Sequence, residues 1–201
     1  TTQTYANTVT GTGSVNFASG TVLLSGSLAN TGTNIISSGA TLQIGDGTAN
    51  VSFSGTVTDN GTLAFNLNAT PYTYGAAVSG SGALSVLGGT LVLSTGSAYT
   101  GATTIASGAT LQIGSGGTTG SISSASAVTN NGTLLISRSG TAVFNNAVSG
   151  GGSLVVNGTA TLTLGGNSSF TGTTSIQRGT VKLASSTALG GAGASVSLGS
   201  A

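Results

Sequence analysis

The 201-residue chain has no histidine, cysteine, tryptophan or methionine, a single proline, and charged side chains at only 2% of its positions. Each absence removes a class of function. Without His or Cys the usual zinc, haem and iron–sulfur ligand sets cannot be assembled, no disulfide can form, and no Ser-His or Cys-His pair can activate a nucleophile. Three cations, Arg138, Arg178 and Lys182, are too few for the phosphate-neutralising stripe that nucleic acids require, and read as solvated side chains that aid solubility. Asp46 and Asp59 are the only carboxylate side chains. Each sits among turn-formers, Gly45-Asp46-Gly47 and Asp59-Asn60-Gly61, and they lie less than one coil apart, so both are expected as separate turn residues and not as a glycosidase pair. No metal and no cofactor are expected. Long apolar runs are missing too, and stretches of three or four such residues give no membrane-inserting segment.

What is abundant is Gly, Ser and Thr, which supply just over half of the chain. That composition suits a flexible linker, but periodicity argues otherwise. Short alternations recur throughout, among them Val15-Asn16-Phe17, Leu42-Gln43-Ile44, Leu63-Ala64-Phe65, Leu111-Gln112-Ile113, Leu162-Thr163-Leu164 and Val196-Ser197-Leu198, each bounded by Gly or Asn-Gly. This is the period-2 signal of strands, and no segment shows helical spacing. The protein reads as all-β. The pairs Asn60-Gly61 and Asn131-Gly132 are expected to supply positive φ at turns.

Longer self-similarity separates a sandwich from a solenoid. Gly39-Ala40-Thr41-Leu42-Gln43-Ile44-Gly45 returns letter for letter at Gly108–Gly114, and Val9–Val15 is matched by Val78–Leu84 and again by Val148–Leu154. The long repeats run approximately 9–77, 78–147 and 148–201 within a single domain, 1–201. Inside them, an apolar phrase recurs at steps of 20 to 27 residues, at Val22, Leu42, Leu63, Leu84, Leu111, Leu134, Leu154 and Val181. Three coils of roughly 23 residues per long repeat, about nine coils in all, make a rod on the order of 40 Å long. Inward positions then form ladders of Val, Leu, Ile and Phe, with Thr and Ser outside.

The segments Val78–Gly114 and Val148–Ser185 resemble the autotransporter-associated β-strand repeat of bacterial passenger proteins. The resemblance rests on Gly80, Gly82, Leu84, Gly89, Thr90, Leu91, Leu93, Tyr99, Thr100, Gly101, Thr103, Ile105, Gly108 and Leu111. Phe170 replaces the Tyr in the third copy, and Asn30 does in a weaker first copy, Val9–Gly45. The resemblance implies a right-handed parallel β-helix (β-solenoid), extracellular or at the bacterial cell surface. It carries no active-site residues over, because the unit is a structural repeat. No membrane barrel with aromatic girdles follows, so the chain is either cut from a larger polypeptide or a freestanding secreted protein.

The leading functional expectation is a noncatalytic structural element: a rigid stalk, an adhesin body, or the subunit of a fibre. No polar cap is evident at either end: either the caps lie outside these boundaries, or the rods stack end to end into a head-to-tail homopolymer through Val15 and Phe17 at one end and Val196 and Leu198 at the other. Pro71, Tyr72 and Tyr74 break the pattern and are expected to form a loop leaving the solenoid, either a lateral insertion that packs its own rings on the solenoid side or, less in favour, a candidate contact with host or biofilm glycans. Tyr99 and Phe170 occupy a repeat position and are expected in ladder or edge packing. Two alternatives compete. A polysaccharide-acting β-helix enzyme needs more acids and bases than the chain offers. A flat Thr array that binds ice or glycans would use Thr8-Val9-Thr10, Thr56-Val57-Thr58 and Thr161-Leu162-Thr163, which do not recur at the coil period.

Overall fold

The computed structural model describes residues 1–199. Among the described residues, strand alternation and glycine punctuation produce twenty-two strands and no helix, and every strand pairing is parallel. One column of register partners runs Gln3, Val22, Leu42, Leu63, Leu84, Thr103, Val128, Val148. A second runs Tyr72, Leu91, Leu111, Leu134, Leu154, Thr174, Val196. A third links Val15, Asn34, Val57 and Val78. Successive partners lie one winding apart, so the chain is a β-solenoid of about ten turns. At about 4.8 Å per winding the rod is somewhat under 50 Å long.

Most windings are shorter than the expected 23 residues, as between Leu91 and Leu111 or Leu134 and Leu154, and a long repeat holds more than three of them. The identical heptapeptides show why. Leu42 stands in the first column, between Val22 and Leu63, whereas Leu111 stands in the second, between Leu91 and Leu134. Three windings from Leu84 reach Val148, and six residues more reach Leu154, on the next face. A long repeat is therefore three windings plus the step from one face to the next. The steps of 27 residues, Leu84 to Leu111 and Leu154 to Val181, each combine one winding with one such step. Local sequence sets the corner and not the face it falls on. Gly39 and Gly108 have φ of 78° and 80°, and Gln43 and Gln112 both donate from Nε2 to the carbonyl of the glycine two residues on.

The interior is a set of stacked ladders. Leu42, Leu63 and Leu84 are fully buried on one face, as are Leu91, Leu111 and Leu134 on the next. Tyr72, Thr73 and Tyr74 do not form a loop leaving the solenoid. They are a strand of the stack paired with Leu91, Val92 and Leu93. Tyr74 is buried and stacked on Phe53 at 5.4 Å between centroids, and Phe65 meets Phe53 edge-on at 6.3 Å. The physical reason lies in the sequence itself: Tyr-Thr-Tyr is an alternation of good strand formers, and Pro71 sits just before the strand, where its missing N–H breaks no ladder.

The Asn-Gly turns also differ from expectation. Positive φ among the described residues is confined to glycines, and neither Gly61 nor Gly132 is one of them. Glycine is required there by the winding below. A Cβ on Gly61 would lie 2.3 Å from the Ala40 carbonyl oxygen, and one on Gly132 would lie 2.2 Å from that of Ala109. Gly132→Val is accordingly expected to cost at least the roughly 1–3 kcal/mol of an overpacked core, and Leu111→Ala about 2–5 kcal/mol through the cavity it leaves. Gly117→Ala, into open space without a positive φ, should leave chemical denaturation unchanged.

Candidate functional site

The two carboxylates occupy opposite environments. Asp46 is exposed and accepts hydrogen bonds from the Thr48 amide at 2.9 Å and the Thr48 hydroxyl at 2.6 Å, which lower its pKa. Asp59 is fully buried, and burial raises its pKa from 3.8 to about 6 despite hydrogen bonds from the Gly61 and Leu63 amides. A buried acid cannot touch a substrate, so the pair cannot flank a sugar. Among the described residues no three His, Cys, Asp or Glu side chains cluster in a way that could hold a metal ion.

The buried phenols are equally closed off. Tyr99 is fully buried, with its hydroxyl 2.8 Å from Thr103 Oγ1, which lies 2.8 Å from Ser126 Oγ. Tyr72 donates to the Phe53 carbonyl at 2.7 Å and Tyr74 to that of Gly55 at 2.5 Å. Desolvation pushes all three phenols above their ordinary range, which keeps them neutral. Phe170 is buried like Tyr99, so both residues pack inside the stack. Arg138 departs from the solvated reading: it is half-buried and its guanidinium donates to the Thr118 carbonyl. Arg178 and Lys182 are exposed.

The outer surface carries hydroxyl ladders that the triplet search does not find, because they follow the "Thr-Leu" phrase and not "Thr-x-Thr". Thr2, Thr21, Thr41 and Thr62 are successive partners on one face, and Thr90, Thr110, Thr133 and Ser153 on the next. A second outward column beside the first reads Thr4, Leu23, Gln43 and Ala64, so the hydroxyls form single files and not a plane. The triplets themselves have mixed neighbours: Thr10 pairs with Ala29, Thr58 with Ile35 and Ser79, and Thr163 with Val143 and Lys182.

The remaining candidates lie toward the two ends of the described stack. Val15 and Phe17 belong to an edge strand and, with Tyr5, Val9, Val22 and Leu28, line an apolar opening of about 360 Å³. Val196 and Leu198 belong to the edge strand at the other end, 50% and 74% exposed, and Leu198 borders an opening with Ile176 and Arg178. Inside the rod, the Tyr99 hydroxyl makes one link of a buried polar chain, and Phe170 shows that the repeat position accepts the unhydroxylated ring. Tyr99→Phe is therefore expected to cost about 1 kcal/mol in chemical denaturation, and a loss above about 3 kcal/mol would mean the chain is indispensable to the core.

Comparison with curated proteins and with solved structures gives no match. Residues 88–113 and 154–183 match the family model of the passenger-associated-transport-repeat. Both matches fall within the second and third copies identified from the sequence, and the weaker first copy is not matched. Each spans a little more than one winding, from Leu91 to Leu111 and from Leu154 to Thr174, with the strands that follow. The chain thus carries two units of the passenger-associated-transport-repeat, set on a β-solenoid.

Proposed function

We propose that this chain is a noncatalytic structural segment of a passenger at the bacterial cell surface, a rigid stalk that holds distance and does no chemistry. One observation carries the reading: parallel pairing runs from Thr2 to Ser149 in one sheet and from Tyr72 to Leu198 in another that overlaps it along the stack, and the only two carboxylate side chains stand in unrelated surroundings. Continuous main-chain pairing gives stiffness without a bulky core. The passenger repeats support export to the outside of the cell. A solution-scattering envelope of the purified chain should show a rod with a maximum dimension of roughly 50 Å. A compact envelope, or turnover in a screen of polysaccharides, would overturn the stalk reading.

The apolar edges favour one extension of it, a fibre built by stacking. The strand Val196–Leu198 presents exposed Val196 and Leu198, while the opening lined by Val15 and Phe17 offers apolar surface at the far end. Such a contact joins unlike ends and propagates without closing. Concentration-dependent growth in sedimentation velocity, abolished by Leu198→Lys, is the expected result. A chain that stays monomeric at every concentration removes the fibre and leaves the stalk, and retention on host or biofilm glycans would instead mark an adhesive body.

A further inference from the structure

Asp59 is best understood through its counterpart in the next long repeat, Asn130. The two corners, Asp59-Asn60-Gly61-Thr62-Leu63 and Asn130-Asn131-Gly132-Thr133-Leu134, match bond for bond. Gly61 N donates to Asp59 Oδ1 at 3.0 Å, and Gly132 N to Asn130 Oδ1 at 3.1 Å. The Asp59 carbonyl accepts from Gly82 N at 2.7 Å, and the Asn130 carbonyl from Gly152 N at 2.8 Å. Gly80 and Gly150 have φ of 103° and 102°. In both corners the side chain is fully buried beneath a glycine, Gly82 or Gly152, on which a Cβ would collide with it.

The corners differ at one atom. Asn130 Nδ2 donates to the Ser153 carbonyl at 2.9 Å, tying its winding to the next. With Oδ1 already engaged by Gly61, Asp59 Oδ2 stands in the place of that nitrogen, and it is buried with no partner. Ala83 stands where Ser153 does. A carboxylate oxygen cannot donate to a carbonyl, whereas a protonated one can.

We propose that in acid solution the folded chain holds Asp59 as a neutral carboxylic acid in a slot shaped for asparagine, and that its ionisation toward neutral pH unfastens the contact between its winding and the next. The stack is then a pH-responsive device with its weak point where the first long repeat meets the second, between Asp59 and Gly82. No cation faces the carboxyl. Ile36 lies below it in register, Gly80 to Gly82 above, and the Gly61 and Leu63 amides beside it. Tyr99 lies near enough for the Asp59 charge to disfavour ionisation of its phenol, which is neutral throughout the range in which Asp59 titrates. Arg138 and Lys182 belong to later windings, next to Gly158 and Thr163.

Burial raises the Asp59 pKa from 3.8 to about 6. An acid whose folded value is the higher one binds its proton more tightly when folded, so its contribution is complete below about pH 4 and is lost as pH rises through about 6. The difference corresponds to about a hundredfold in the folding equilibrium. The test is a carbon-13 carboxyl titration of aspartate-labelled protein, the two signals assigned with Asp46→Asn, together with chemical denaturation of wild type and Asp59→Asn from pH 4 to 8. Asp59 is expected to titrate near 6 and Asp46 below 3.8. Wild-type stability should fall by about a hundredfold more than that of Asp59→Asn between pH 4 and 8, and the Gly82 amide should lose exchange protection relative to Gly152. An Asp59 signal titrating at or below 3.8 overturns the proposal, as does an Asp59→Asn chain with the wild-type pH profile. If that variant does not fold, the carboxyl titration of the wild type and the Gly82-to-Gly152 comparison decide alone.

Discussion

Every winding hydrogen-bonds its main chain to the windings above and below, in parallel register, and the rest of the molecule follows from that repeated contact. Thr62 N reaches the Ala40 carbonyl and Thr133 N that of Ala109, and the pattern continues along the rod. Because backbone groups satisfy one another, the core can be thin, a file of Leu, Val and Ile on each face in place of a broad apolar layer. The same closeness limits side chains at the corners. Where one winding's carbonyl oxygen points at the next winding's Cα, as Ala40 points at Gly61, a Cβ does not fit. The abundance of glycine is thus a consequence of stacking distance as well as of turn conformation.

The fractional number of windings per long repeat shapes the surface. Since a repeat ends one face ahead of where it began, a feature encoded once per repeat appears on successive faces and never accumulates on one. The Thr ladder illustrates this: it runs from Thr2 to Thr62 on one face, gives way to Ala83, and resumes from Thr90 to Ser153 on the next. A planar array for a crystalline or extended ligand requires the opposite arrangement, with identical residues in adjoining columns. The geometry suits a spacer, whose sides need be alike only in being uncharged and hydroxylated.

Much of this was legible from the amino-acid pattern, and what was not has physical causes. Alternation at Leu42-Gln43-Ile44 and Leu111-Gln112-Ile113 marks strands, and letter-for-letter recurrence marks a stack, because local chemistry determines both. The winding length is not local. It depends on which strand meets which, and identical phrases on different faces look like equal steps until register separates them. Tyr72-Thr73-Tyr74 was obscured by the adjacent proline, although the alternation itself signals a strand. The Asn-Gly pairs look conformational in sequence, since close approach to Ala40 or Ala109 leaves no trace within five residues of chain. In sequence Asp59 reads as an ordinary turn residue, and it is one, with its side chain turned inward.

That inward turn is where the economy of the fold meets its electrostatics. Buried amides hold several corners: Asn30 Nδ2 donates to the Gly13 and Gly32 carbonyls, Asn34 to Ser54, Asn146 to Ser123 and Ser126. An asparagine suits such a place because it offers a donor and an acceptor at once and carries no charge at any pH. Replacing it by aspartate keeps the shape and the acceptor and makes the donor conditional on a proton. In an ordinary domain, with about a quarter of its residues charged, the effect of one such acid is averaged among many. Here only two acidic side chains exist, and the other, exposed at Asp46, is shifted downward by Thr48, so the pH dependence of the side-chain carboxylates above about pH 4 is set by a single corner.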